Sequence, residues 1–171
     1  MERIWAPWRM DYIRGLDPKA ESAEPDKGCI FCWKPQAPPA EDPANLIVAR
    51  REHCFLILNL YPYNNSHLMV VPYRHLCDFT LLRDAELLDC QRALRDAVLV
   101  LQRSLAPQGF NLGLNLGKAA GAGIDQHLHW HLVPRWVGDS NFMPVLGETK
   151  VISESIQDSW QRLRDGFATL E

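Results

Sequence analysis

The chain has 171 residues, 47% of them apolar and 23% charged, which is enough for one packed globular domain and too little for two. Its net charge of −3 excludes the broadly basic surface that non-specific binding to nucleic acid or anionic membrane requires. A polyanionic ligand would have to be met by a local site.

The opening "MERIWAPWRMDYIRG" is interrupted by Arg3, Arg9 and Asp11 and lacks the apolar stretch of a signal peptide. The longest apolar runs, such as "AVLVL", fall far short of the ~20 residues needed to span a bilayer. These features predict a cytoplasmic protein, in which the odd count of five cysteines leaves disulfides unexpected. Trp5, Trp8 and Tyr12 read as packing or interface aromatics. "LDPKAESAE" reads as a loop. Cys29 and Cys32 then stand as "CIFC", and Cys-x-x-Cys can present two thiolates to one metal ion. A redox pair is the rival, although no strand-to-helix context of thioredoxin type surrounds it. "KPQAPPAEDPAN" reads as a second loop.

Three short segments rich in β-formers follow, "NLIVAR", "CFLILNL" and "HLMVVPY". "YPYNNS" between the last two is a turn, so the pair is a predicted hairpin. From Asp84 to about Leu105, Leu87, Leu88, Leu94, Val98, Leu101 and Leu105 recur at helical spacing, and Pro107 and Gly109 end the run. "FNLGLNLG" alternates as a strand, and "ISESIQDSWQRLRDGFATL" reads as a final amphipathic helix. Cys54, Cys77 and Cys90 sit among apolar neighbours and read as buried thiols. Hairpins with segregated helices predict an α+β class built on an antiparallel sheet of about five strands.

The chemistry concentrates in "DQHLHWHLVPRW". Spacing of two on a strand puts His127, His129 and His131 in one row, with Leu128, Trp130 and Leu132 facing the other way. A merely polar face is a poor account of three imidazoles in register, because buried imidazoles need partners. One shared metal ion is also a poor account. Same-face neighbours stand roughly 6.5–7 Å apart on a strand, whereas zinc takes imidazole nitrogens at ~2.0–2.1 Å. A neutral imidazole is, however, a competent nucleophile and acid–base group. The preceding "NLGKAAGAGI" can bring backbone N–H groups close to an anion. Together they point to phosphorus chemistry.

His-x-His-x-His followed by apolar residues, here "HLHWHLV", resembles the motif of the histidine triad superfamily of nucleotide hydrolases and transferases. "CIFC", "LNLYPYNNSHLMVVPYRH" and "NLGKAAGAGIDQHLHWHLVPRWVGDSNFMPVLGETKVI" extend the resemblance over most of residues 28–152. It implies a single histidine-triad-like domain over residues 1–171, with terminal extensions to that core. "WAPWRMDYI" and "GDSNFMPVLGETKVI" resemble the bacterial branch related to fragile histidine triad proteins and diadenosine tetraphosphate phosphorylases.

By resemblance, His129 attacks the α-phosphate of a dinucleoside polyphosphate to form a covalent nucleotidyl-imidazole. His131 steadies the phosphate. Water or inorganic phosphate then releases the nucleotide. The zinc-bearing members of the family imply Cys29, Cys32, His75 and His127 as ligands of a structural zinc, which gives His127 a separate role. Asn59 matches a ribose-binding position. Asn115 and the loop residues Gly121, Ala122 and Gly123 match phosphate-orienting positions. His67 corresponds to a Gly-His turn but follows Ser66 where the family has glycine, and it reads as a core or turn residue; His53 reads as a surface residue. The resemblance also implies a homodimer whose sheet continues across a two-fold axis.

Two departures bear on the reaction. Ala122 and Gly123 stand where phosphorylase relatives carry a hydroxyl, and the glutamine of the fragile histidine triad loop has no counterpart. Hydrolysis and phosphorolysis therefore both remain open. Phosphoramidate hydrolysis and a nucleotide-binding sensor with little turnover are the alternatives.

Overall fold

The computed structural model describes residues 28–139 and 152–170. The expectations for Trp5, Trp8, Tyr12, "LDPKAESAE" and residues 140–151 lie outside those residues. The elements in chain order are α1 (Ile30–Trp33), α2 (Asp42–Asn45), β1 (Ile47–Arg50), β2 (Cys54–Leu58) and β3 (Leu68–Pro72), followed by α3 (Asp84–Leu105), β4 (Gly109–Leu114), β5 (Trp130–Arg135) and α4 (Ile156–Ala168). The stretch read as a loop after the cysteine pair is more ordered than expected. It holds two 3₁₀ turns, Lys34–Gln36 and Pro39–Glu41, and the single turn α2. Prolines at the first or second position of all three carry the φ that a helical start needs.

The strands form one antiparallel sheet in the order β1-β2-β3-β5-β4, so β5 inserts between β3 and β4. β2 and β3 form the predicted hairpin and are buried at every position, as central strands with long apolar side chains must be. β4 is an edge, with Leu112 and the following Leu116 about half exposed. The registers Ile57↔Met69, Met69↔His131 and Gly113↔His131 align four positions on one face. Val70, Trp130 and Leu114 align on the other.

The long helix α3 packs across β2, β3 and β5. Its boundaries match the expectation, and so does most of its apolar stripe, with Leu94 and Leu101 buried and Leu87, Val98 and Leu105 packed against the core. Cys90, Ala93, Leu94, Ala97, Val100 and Leu101 face the core, whereas Leu88 is 51% exposed. The small residues Ala93 and Ala97 let the helix sit close to the sheet beside Leu94 and Leu101, and Leu88 falls to the exposed flank. α4 packs on α3 and β1. Gly166 makes that approach possible, since a Cβ there would stand 2.5 Å from a Val100 methyl. The Trp160 indole N–H donates to the Ile47 carbonyl at 2.8 Å and ties α4 to the sheet.

Buried carboxylates fasten the loops. Asp42 accepts from Arg50, which also donates to the carbonyls of Pro35 and Ala37. Glu86 accepts from the Arg83 N–H at the start of α3 and from Arg74 at 2.8 and 2.6 Å. The Arg74 hydrogen bonds hold the Glu86 carboxyl down at about 2. Of the three thiols read as buried, Cys54 and Cys90 are so, but Cys77 is exposed. It lies in the connection from β3 to α3, and such connections run over the surface whatever the local apolar content. Among the described residues no helix is long and apolar enough to cross a membrane.

Ser66 adopts φ +55°, in the left-handed region, and its buried hydroxyl lacks a hydrogen-bond partner among the described residues. Both features cost stability, and glycine removes both. Ser66→Gly is expected to stabilise the fold by about 1 kcal/mol, raising Tm by about 2–4 °C in a thermal melt.

Candidate active site and metal centre

The three alternating histidines are not all on a strand. β5 begins at Trp130, so His131 lies in the ladder while His127 and His129 precede it. The reason is that Trp130 is the last residue paired on both sides, with Val70 and with Leu114. Beyond it a different set of bonds holds the chain. The Leu128 N–H donates to the Leu76 carbonyl at 2.8 Å, and the histidine rings bond to backbone. The rows expected from strand periodicity survive locally, since the His129 and His131 rings stand 4.9 Å apart.

The partners of each ring assign its protons, because a carbonyl only accepts and an N–H only donates. His129 Nδ1 faces the His127 carbonyl at 2.8 Å, so Nδ1 carries the proton and Nε2 keeps its lone pair. Burial pushes the His129 pKa below the usual 6.5, and the ring is neutral at pH 7. His127 Nε2 likewise donates to the Pro72 carbonyl at 2.9 Å, leaving its Nδ1 lone pair toward the cysteine sulfurs. Burial, with smaller contributions from His75 and His129, lowers His127 to about 4.

His67 belongs to the site as well, which the sequence reading missed by placing it only in the core or turn. It is fully buried and its N–H does close a turn to the Asn64 carbonyl. Its ring also accepts the Tyr63 N–H at Nδ1, 3.0 Å away, and therefore donates from Nε2 to His131 Nδ1 at 2.9 Å. His131 consequently carries its own proton on Nε2. Burial and the nearby His129 bring His131 down to about 4. One neutral ring thus offers a lone pair and its neighbour offers an N–H. Gly113 lies directly opposite His131 on β4, and a Cβ built there would meet nothing within 4 Å. That flank is open.

Asn59 follows β2, where its Oδ1 accepts the Tyr61 N–H at 3.0 Å and its Nδ2 lies 3.4 Å from His67 Nδ1. Asn115 donates to the Gly121 carbonyl at 3.4 Å and closes the Gly/Ala loop. Gly117 and Gly121 flank the 3₁₀ turn Lys118–Ala120 with φ of +78° and +87°. The N–H groups of Gly121 and Ala122 bond within that turn, to Lys118 and Gly117 carbonyls. Gly123 is the member of the expected trio that lies beyond the turn. His53 is half-buried beside Glu52, with its N–H donated to Asp89.

The second centre is the one expected for a metal. The one-turn helix α1 wraps the Cys-x-x-Cys pair, with the Cys32 N–H bonded to the Cys29 carbonyl at 2.9 Å. His75 comes from the loop after β3, next to Arg74 and its anchor Glu86. Cys29, Cys32, His75 and His127 bring one ligand atom each to within 4.8 Å of one another. The closest pairs are 3.2 Å (Cys32 Sγ to His75 Nδ1), 3.4 Å (Cys29 Sγ to His127 Nδ1) and 3.6 Å (Cys32 Sγ to His127 Nδ1). Four ligands at zinc–sulfur and zinc–nitrogen lengths stand roughly 3.3–3.8 Å apart around a tetrahedral ion. The donor set fits. Burial and the adjacent Cys29 push the Cys32 thiol up to about 11, so two thiolates here need a cation beside them. Phe31, between the cysteines, is fully buried against the rings of His127 and His129 at 5.5 and 5.1 Å.

Comparison with known proteins places the fold and the family. A family model described as HIT domain matches residues 40–137. The chain is 39% identical over 171 residues to the AP-4-A phosphorylase of Mycobacterium tuberculosis, covering 98% of this chain and 85% of that protein. An uncharacterized HIT-like protein of Methanocaldococcus jannaschii is 34% identical over 122 residues, covering 71% of this chain and 89% of the relative. Among solved structures, a Zn-bound histidine triad family protein from Mycobacterium smegmatis superposes with a TM-score of 0.63 at 24% identity, covering 84% of this chain and 95% of that one. That likeness speaks for the fold. With the motif, the fold and these relatives in agreement, the chain belongs to the HIT family.

Proposed function

We propose that this protein cleaves dinucleoside polyphosphates at the α-phosphate through a covalent nucleotidyl intermediate on His129. The observation that carries the reading is the pair of opposite tautomers, a lone pair on His129 Nε2 beside an N–H on His131 Nε2. Identity of 39% to a protein named AP-4-A phosphorylase supports the substrate class.

With diadenosine tetraphosphate, His129 Nε2 forms a bond to the α-phosphorus while the bond from that phosphorus to the bridging oxygen breaks. ATP departs and AMP remains on the ring. The ring becomes cationic as it is phosphorylated, and its Nδ1–H already points at the His127 carbonyl, which stabilises that charge. The His131 N–H is placed to hydrogen-bond a phosphoryl or leaving oxygen. Water or phosphate then displaces the ring nitrogen and returns the enzyme with AMP or ADP. Asn59 holds ribose, and Asn115 with the loop residues Gly121, Ala122 and Gly123 orients the phosphates.

Cys29, Cys32, His75 and His127 would hold a structural zinc. All four positions are protein ligands, so no open coordination site remains for substrate. When bound, the ion supplies fixation of His127, and the His127 carbonyl in turn orients His129. A homodimer continued across the exposed edge β4 and residence in the cytoplasm complete the reading; the five free cysteines fit a reducing compartment.

Four outcomes test it. Incubated with diadenosine tetraphosphate, wild type should yield ATP and AMP by hydrolysis, or ATP and ADP when phosphate is the acceptor. His129→Gly should lose more than about a thousandfold in kcat with its circular dichroism unchanged; residual turnover near wild type would remove His129 as nucleophile. The acid limb of kcat/KM should lie below pH 6.5. His129 attacks only when neutral, and its lowered pKa keeps it neutral to lower pH than a free imidazole. Elemental analysis should find about one zinc per chain, lost with a lower Tm in Cys32→Ser.

A further inference from the structure

We propose that Tyr63 is a positioning residue for His131, its ring serving as the wall that keeps the His67–His131 pair in register on the phosphate side. The inference rests on the reading of His131 as the phosphate-steadying group. Tyr63 lies in the connection from β2 to β3 and does two separate things. Its backbone N–H sets the His67 tautomer at 3.0 Å. Its ring packs on both imidazoles, 4.8 Å from His67 at 36° and near-parallel to His131 at 5.8 Å and 29°.

The geometry around His131 makes that ring matter. The proton on His131 Nε2 is placed only while Nδ1 stays bonded to His67. Toward β4, Gly113 gives no side-chain support. Met69 opposes His131 on β3, and His129 meets it edge-on at 4.9 Å. Tyr63 is the one aromatic ring stacked nearly parallel to His131 among the described contacts. It is itself 47% exposed, so it shields the histidine pair from solvent while its other surface remains free. Water admitted there would compete for His131 Nδ1, and a ring flip would withdraw the Nε2–H from the phosphate. Such a flip leaves ground-state nucleotide binding to Asn59 and the loop largely intact. It removes a contact that strengthens as charge develops.

Substitution at Tyr63 separates the ring from the backbone N–H, which survives in any residue but proline. With diadenosine tetraphosphate as substrate, Tyr63→Ala should lower kcat about tenfold while KM changes less than about twofold, and Tyr63→Phe should restore wild-type kcat. Tyr63→Leu, which keeps the bulk without the flat ring, should fall with alanine. Nitrogen-15 shifts of the His131 ring give a readout independent of turnover. Wild type should show one tautomer with the proton on Nε2, and Tyr63→Ala an averaged pair of shifts. An unchanged kcat in Tyr63→Ala overturns the proposal, as does a loss in Tyr63→Phe equal to that in alanine, which would assign the effect to the hydroxyl. If wild type fails to turn over the dinucleotide, the reaction reading fails. The nitrogen shifts still decide the role of Tyr63, since an unaltered His131 tautomer in Tyr63→Ala would sink it.

Discussion

The hydrogen bond from the His129 ring to the carbonyl of His127 is the contact on which the rest of this site depends. It puts the proton of a buried neutral imidazole on Nδ1 and leaves the lone pair on Nε2. The bond holds only if His127 holds. Its own ring is pinned between the Pro72 carbonyl and the cysteine sulfurs, and Phe31 is pressed against both histidines. The cysteine–histidine cluster and the His129 ring are thus one continuous structure, joined through His127.

A regular β-strand through His127 would forfeit this. In a ladder the backbone groups pair with neighbouring strands, and alternate side chains stand clear of one another. Ending the ladder at Trp130 releases the His127 carbonyl for a side chain and the Leu128 N–H for the Leu76 loop. The main-chain carbonyl of Pro72, at the end of β3, accepts from the other nitrogen of the His127 ring.

The same economy appears at the second histidine pair. His67 closes a turn with its backbone, fills the core with its ring and orders His131 with its outer nitrogen. The left-handed backbone at Ser66 and the unpartnered hydroxyl beside it are strain stored next to that ring. On the metal side, Arg74 and Glu86 perform the matching task. They clamp the residue preceding His75 to the start of α3, so a histidine carried on a surface loop is held by a helix.

Local pattern alone dictated the five strands and the boundaries of α3, since period and turn residues are short-range properties, whereas His75 and His127 as companions of the Cys-x-x-Cys pair followed from the family resemblance and not from spacing. Local pattern also marked the three alternating histidines as chemistry. What pattern left undecided has long-range causes. The buried face of α3 combines Ala93 and Ala97 with Leu94 and Leu101, and which leucine at helical spacing is left exposed, here Leu88, is decided by the sheet it meets. Cys77 is exposed because of the path of a connection, although its neighbours are apolar. The point at which β5 begins, Trp130, is opposite Leu114 at the end of β4 and Val70 of the sequence-distant β3. The role of His67 required a partner 64 positions away, and the tautomers of all the rings required knowing which carbonyl or N–H each nitrogen meets. Residue type supplies an imidazole; only the tertiary structure, by choosing its hydrogen-bond partner, decides whether that imidazole attacks, donates or binds metal.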